Sequence, residues 1–388
     1  METCVRDRSL AERWHAGQGP WSRISRPVLH HIGERVRALE LGGHTVSCFQ
    51  HVRPDTPLIL LPLVEAGVRV SIAAVNADST DDTAAAVLAE RGVDVWAWSG
   101  MTSDERDTGL AMLADEQTDA ISDMGGELIE AVVRRGGSQP LAALEATTSG
   151  IHHLNGIDPR FPVFDWNDIR LKDRIHNRHH VGIQAWSAIS DITGLAPYGR
   201  TVLVVGFGPV GRGVAIQARA LGAIVSVAEV DPVKSLEALQ HGLRVVPLDE
   251  GMATCSIVVT ATGRTDVVGP EQMRQARSGT ILANVGHGNR EIDVDWLDSH
   301  PGETVREHID RYTVDGRDLY LLNRGNLVNI AAGAGIEVDE LFDPFAALIL
   351  LGLTWILQSG AREAIPGLQP YPAHLEGEIA ELSLAARA

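Results

Sequence analysis

The chain has 388 residues, 44% hydrophobic and 22% charged, with 33 basic and 51 acidic side chains and a formal net charge of −18. That balance fits a folded protein of two or three domains and argues against binding to nucleic acid or to an anionic membrane surface. Cys4, Cys48 and Cys255 are widely spaced and form no CxxC or Cys/His pattern, which excludes a disulfide framework and gives no metal site.

The N-terminus mixes charges with Trp14 and Trp21 and lacks the apolar stretch of a signal peptide, so a cytoplasmic protein is expected. His51, after Ser47-Cys48-Phe49-Gln50, is ambiguous alone. Pro57–Val64 is apolar, Gly67–Val75 reads as a strand, Thr83–Arg91 as a helix and Gly92–Trp98 as a further strand. Another strand ends at Asp123, before Gly125-Gly126. His152-His153 and His179-His180 are adjacent pairs that share no helix face and have no HExxH partner, so no metal is assigned. In Asn167–Asn177, the spacing of Lys172, His176 and Asn177 places them on one helix face. A lysine and a histidine there suit hydride transfer, one holding an alcohol oxygen and the other moving its proton. A solvated basic helix face has the same spacing.

Thr201-Val-Leu-Val-Val-Gly206-Phe-Gly208-Pro-Val-Gly211-Arg-Gly213 carries the most information. A β-branched strand enters a glycine turn and a helix leaves it. Gly206 permits the turn, Gly208 lets backbone approach a pyrophosphate, and Gly211 allows close helix packing. The strand Ile224–Glu229 then ends in an acid at the fingerprint's distance. Glu229 would accept the ribose hydroxyls and repel a 2′-phosphate, which indicates NAD rather than NADP. Cys255–Thr262 and Thr280–Val285 continue as strands, and His287 stands between two glycines in the loop that follows. Phe345–Leu357 is apolar all round and too short to span a bilayer, so an interface between protomers, in a homodimer or homotetramer, is expected for it. A Pro/Gly break at Pro366–Pro372 and a short polar helix end the chain.

The fold expected is therefore α/β, with a Rossmann NAD-binding domain (184–336) inserted in an α/β substrate-binding domain (1–183). Both sheets should be mostly parallel. Residues 337–388 should return to the substrate domain or form an oligomer interface. The substrate is expected between the domains, at the carboxyl ends of the strands.

With these residues in hand, the chain resembles the S-adenosylhomocysteine hydrolase family from about residue 40 to about 342. The resemblance rests on Asn76–Ala85, Glu145–Gly150, Asn167–Asn177, Val204–Pro232, Thr260–Gly263, Asn284–Trp296 and Leu327–Asn329. It implies an NAD-dependent enzyme that oxidises the 3′-hydroxyl of a nucleoside. A base then removes the acidified C4′ proton and the 5′ group leaves. It further implies that Lys172 meets the 3′-hydroxyl, Asn177 lies beside the nicotinamide, and His51 and His287 stand near the 5′ leaving group. Cofactor contacts would come from Gly206, Gly208, Pro209, Val210, Gly211, Glu229, Thr262, Asn284, Val285, Gly286 and Asn329. Thr147, Thr148 and Ser149 would lie close to them. Substrate would meet Arg53, Asp55, Asp123, Met124, Lys172, His176 and His287.

The departures from the family pattern are specific. Met124, Ala146 and His176 stand where that pattern has carboxylates, and Arg53 replaces a threonine. Asp55 replaces the glutamate that reads the adenine amino group, Gly335-Ile336-Glu337 replaces Gly-His-Pro, and the C-terminal Lys/Tyr tail is absent. Three carboxylates are thus expected to be missing around the sugar, with His176 pushing Lys172 toward its neutral form and a histidine acting as the acid at C5′. The function expected is a dehydratase or lyase that loses water from C5′ to give a 4′,5′-unsaturated nucleoside, as in the biosynthesis of angustmycin-type antibiotics. The alternatives are an S-adenosylhomocysteine hydrolase proper, a catalytically silent NAD-binding homologue, and a simple dehydrogenase that releases NADH.

Overall fold

Short runs rich in valine, isoleucine and alanine form the first sheet: β1 (Cys4–Val5), β2 (Thr45–Gln50), β3 (Arg69–Ala74), β4 (Asp94–Ala97), β5 (Ala120–Asp123), β6 (Ala142–Glu145) and β7 (Pro162–Asp165). The chain then builds a second sheet from β8 (Thr201–Val205), β9 (Ile224–Ala228), β10 (Arg244–Val245), β11 (Ile257–Thr260), β12 (Thr280–Asn284), β13 (Gly302–Arg306), β14 (Ile309–Val314) and β15 (Arg317–Leu322). It returns to the first sheet with β16 (Gly367–Pro370). This computed structural model describes residues 3–286, 290–330 and 339–387. It divides into two units, Met1–Lys172 with Asp339–Ala388, and Asp173–Val338. The boundary drawn from sequence at 183/184 lies inside the second unit.

The first sheet has the order β1-β4-β3-β2-β5-β6-β7-β16 and every pairing in it is parallel. Strand order reverses between β2 and β5, and ligand crevices open outside the carboxyl ends of strands at such a switch point. His51 and Met124 are the residues that follow those two ends. In the second sheet, order β10-β9-β8-β11-β12-β15-β14-β13, the reversal lies between β8 and β11, where Gly206 and Thr262 emerge. Pairing is parallel from β10 to β15 and antiparallel beyond.

Local signals fix the crossover helices. Asp81 caps helix Asp82–Glu90 by accepting from Ala84 N, and Thr102 with Glu105 forms a capping box on Ser103–Asp115. Pro209 opens helix Pro209–Ala220 at a position where its missing N–H costs nothing.

Three local expectations are corrected. The Pro/Gly stretch 366–372 contains an edge strand, β16, a place where a proline that cannot donate to a ladder is tolerated. The apolar run belongs to a 19-residue helix, Asp339–Leu357. By length and composition that helix could cross a membrane, yet it is packed inside the first unit's own core with helices Pro27–Arg37, Thr56–Glu65 and Ala373–Ala385. Burial on several sides is thus met within one unit, and the helix gives no support to the expected homodimer or homotetramer. Finally, Lys172–His180 is a π-helix rather than an α-helix, a form that recurs at functional sites.

Candidate functional sites in the two units

Strands β5, β6 and β7 each end on a carboxylate. Asp123 is the register partner of Glu145, and Glu145 of Asp165. Glu145 is fully buried and accepts from Gly125 N (3.2 Å), Gly126 N (2.9 Å), Thr147 N (2.7 Å) and Thr147 Oγ1 (2.7 Å). Asp123, equally buried, accepts from Ile129 N (2.9 Å). Burial pushes Glu145 up to about 7 against these stabilising hydrogen bonds. Burial and the neighbouring Glu145 charge push Asp123 well above the usual carboxylate range. Thr147 also accepts from Gly150 N (2.9 Å) as the cap of helix Thr148–Leu154, whose Ser149 donates back to Thr147 Oγ1 (3.2 Å).

Lys172 Nζ donates to Ala146 O and to Asn167 Oδ1, each at 2.5 Å, and lies 5.8 Å from the centre of the Phe345 ring. Asn167 is held from the other side by Thr148 Oγ1 (3.1 Å). Burial lowers the lysine to about 8, while Glu145 and Asp165 oppose that shift. Two expectations change. Removal of water, not the charge of His176, sets this lysine, and carboxylates do stand near it. His176 instead stacks on His180, with centroids 5.0 Å apart, and its Nδ1 lies 3.1 Å from Asn177 Oδ1.

His51 Nδ1 lies 2.5 Å from Ser79 Oγ, and that hydroxyl donates its single proton to Asn76 O (3.2 Å). With the hydroxyl proton on Asn76 O, the ring donates through Nδ1–H and Nε2 is left as the acceptor. Burial, with the Arg53 charge, pushes His51 down to about 4. It is neutral near pH 7, so the expected resting acid is a resting base. Arg53 donates its backbone N–H to Thr56 Oγ1 (2.8 Å). Asp55 is buried against the fully buried Arg26, with Arg26 Nη1 at 3.6 Å. Met124 is half-buried against the core, and its N–H donates to Phe49 O (3.0 Å).

In the second unit Gly206 adopts φ +93°, and a Cβ on Gly211 would lie 2.1 Å from Gly206 O, so both turn glycines are sterically required. Nothing stands within 4 Å of a Cβ placed on Gly208, which leaves the turn open on that side. Glycine there provides no side-chain cap for the helix begun by Pro209 and Val210, leaving its first N–H groups to a ligand. Glu229 accepts from Phe207 N (2.7 Å), Val230 N (2.7 Å) and Asp231 N (2.9 Å), so it also builds the turn it was expected to serve.

Glu291, fully buried, accepts from Thr262 N (2.9 Å), Thr262 Oγ1 (2.9 Å) and Gly263 N (2.7 Å). Asn284 donates to Gly325 O (2.9 Å) and accepts from Gly286 N (2.9 Å), so its amide joins backbone segments. Val285 is buried, and its N–H donates to Thr260 O (2.9 Å). Asn329 Oδ1 is buried with no hydrogen-bond partner among the described residues. This orphaned acceptor, the open glycine turn and the free helix N-terminus fit a dinucleotide. His287 and Gly335-Ile336-Glu337 lie outside the described residues.

Sequence reasoning did not single out Glu145, Asp165, Asn167, Ser79 or Glu291 as site residues. The available signal was three successive strands that each end on an acid.

Two family models match the chain: "S-adenosyl-L-homocysteine hydrolase" over residues 22–157 and "S-adenosyl-L-homocysteine hydrolase, NAD binding domain" over 186–335. The chain is 36% identical to an S-inosyl-L-homocysteine hydrolase of Methanopyrus kandleri, covering 99% of this chain and 92% of that protein. It is 36% identical to an adenosylhomocysteinase of Aeropyrum pernix (87% and 84% covered) and 34% identical to one of Thermotoga maritima (94% and 92%). Among solved structures, a dipicolinate synthase polypeptide from Bacillus halodurans shares the fold at TM-score 0.52 and 15% identity, over 81% of this chain and 99% of that one.

Proposed function

The chain belongs to the S-adenosyl-L-homocysteine hydrolase family and is an NAD-dependent enzyme of that type, and from that premise we propose that it eliminates water from C5′ of an adenine nucleoside. The product is a 4′,5′-unsaturated nucleoside, and the reaction is that of a dehydratase in the biosynthesis of a nucleoside antibiotic. One observation carries this reading. The carboxylates of Asp123 and Glu145, the latter near Lys172, are buried and hydrogen-bonded to backbone, and the residues that follow them, Met124 and Ala146, are apolar; Asp165, the other carboxylate near the lysine, accepts from Asn167 N and Asp168 N. Carboxylates already engaged in this way are ill suited to activating water for addition to an alkene.

NAD, when bound at the glycine turn, supplies reversible oxidation at C3′, which makes the adjacent C4′–H acidic. Lys172, tuned to about 8, exchanges the proton of the 3′-oxygen close to neutral pH. Neutral His51 accepts the C4′ proton at Nε2. The resulting imidazolium is a strong acid because its site disfavours charge, and it passes that proton to the departing 5′-oxygen. The C4′–H and C5′–O bonds break, C4′=C5′ forms, water leaves, and the histidine ends neutral; reversal of the C3′ oxidation would then restore the 3′-hydroxyl, so that product and substrate differ by one water.

A second reading, release of a thiol from a 5′-thioether followed by addition of water, is favoured by the same Nε2, which can deprotonate a water. It agrees with the names of the S-inosyl- and S-adenosylhomocysteine hydrolases among the relatives. Mass spectrometry after incubation with S-adenosylhomocysteine, S-inosylhomocysteine and 5′-hydroxyl adenine nucleosides separates the two. A product lighter than its nucleoside by one water supports elimination. Homocysteine released with intact nucleoside overturns it in favour of the hydrolase.

A further inference from the structure

The helix that carries Lys172 begins at Arg170, and the first N–H groups of any helix lack partners of their own. Leu171 N–H, one residue before the lysine, donates to Glu376 Oε1 at 2.7 Å. The other oxygen, Glu376 Oε2, accepts from Arg170 Nε at 3.2 Å. Glu376 lies more than two hundred residues downstream, in the first turn of helix Ala373–Ala385, and is only 6% exposed. A buried carboxylate from the C-terminal helix therefore does the work a local Ser or Asp usually does, closing the start of a helix by accepting its free N–H.

We propose that Glu376 is a positioning residue for Lys172, a tertiary cap through which the C-terminal helix fixes where the lysine side chain emerges. The lysine's position leaves little tolerance. Its ammonium must reach Ala146 O and Asn167 Oδ1 together, above Phe345 and beside the charges of Glu145 and Asp165. Of the two bonds Glu376 makes, the one to Leu171 N–H carries the positioning, because the Arg170 side chain is 69% exposed and a water can replace its contact. The charge itself is secondary, since a backbone N–H needs only an acceptor. This inference takes the chemistry of Lys172 from the proposed function, but the placement of Lys172 does not depend on it.

The test is therefore read on the lysine. The holoenzyme is treated briefly with acetic anhydride near neutral pH, and acetylation of Lys172 is quantified by peptide mass spectrometry. Glu376→Ala should raise the acetylation rate of Lys172 by at least about tenfold, in line with the loss expected when a buried supporting group is removed. Glu376→Gln, which keeps an acceptor, should remain within about twofold of the parent. Lys234, in the second unit, serves as the internal reference. In the unmodified protein, the Leu171 amide should be strongly protected from hydrogen exchange, a measurement that needs no variant to fold. Parent-like acetylation of Lys172 in Glu376→Ala, or a Leu171 amide that exchanges freely, would overturn the proposal. Failure of every nucleoside to turn over would overturn the functional reading and leave these results standing.

Discussion

Asp123 and Glu145 are register partners on neighbouring parallel strands, both without solvent exposure, and the charge of Glu145 disfavours that of Asp123. Two ionised carboxylates would be costly there, and the amides of Gly125, Gly126 and Thr147 relieve only part of that cost. The pair holds together the turn that carries Met124 and the loop that carries Ala146.

A carboxyl whose pKa rises on folding keeps a proton that the unfolded chain has already released. Stability attributable to Glu145 therefore falls as pH climbs from the unfolded value of 4.5 to about 7, and is level above that. Over this window the parent should lose on the order of 1–3 kcal/mol from this group, and Glu145→Gln should flatten that part of the curve. Urea unfolding at pH 5 and pH 8 measures the difference in slope. Identical pH dependence in parent and variant would show that the pair is not protonated as described.

His51 moves the other way. Its pKa falls on folding, so the native state binds fewer protons, and the neutral ring needed at rest is populated as pH rises through about 4. The 5′ step should consequently show no inflection near 6.5. His51→Ala should still form reduced cofactor but lose 5′ elimination. Ser79→Ala, which frees the ring to change tautomer, should slow that step about tenfold. Stopped-flow absorbance of the reduced nicotinamide, read beside product mass, resolves the two steps. Parent rates of elimination in both variants would remove His51 from the reaction.

Glu291 grips the Thr262–Gly263 turn, and the fit extends to Gly286, where a Cβ would lie 1.7 Å from Glu291 Oε1 and 2.9 Å from Thr262 N. Gly286→Ala should destabilise the second unit by about 1–3 kcal/mol through overpacking. Glu291→Ala, which leaves two backbone N–H groups and a hydroxyl without their acceptor, should lower the NAD retained through gel filtration by about tenfold. Full NAD content in Glu291→Ala would mean that the turn does not need its carboxylate.

Glu229 ties the glycine turn, at Phe207, to the loop that follows β9, so Glu229→Ala should do more than delete a ribose contact. It releases Phe207, Val230 and Asp231 N–H together. We expect NAD affinity to fall about 10- to 100-fold, with a smaller loss for NADP, because the negative charge that repels a 2′-phosphate is gone. Fluorescence titration with both dinucleotides reads the ratio. An unchanged NAD/NADP preference would show that another residue discriminates between them.

Features that depend on local chemistry were legible in the residues alone. Glycine spacing at Gly206, Gly208 and Gly211 specified the dinucleotide turn, because only glycine tolerates the φ of Gly206 and the closeness at Gly211 and leaves the turn open at Gly208. Alternating and β-branched runs specified the parallel strands, down to β5 ending on Asp123. Features that depend on residues distant in the chain were not legible. The one-turn spacing of Lys172 and His176 suggested mutual influence, but the lysine's state is set by the desolvation that folding imposes, with Glu145 and Asp165 opposing it. His51 looked like an acid because an isolated imidazole titrates near neutrality. Only its burial and its contact with Ser79, 28 positions away, make it a neutral acceptor. The apolar run after Phe345 correctly announced burial, yet apolar surface carries no address. Packing against helices of its own unit settled where it would be covered. Glu376 above all has no local signature, since a carboxylate that caps a helix more than two hundred residues upstream can be read only when the two segments are seen side by side.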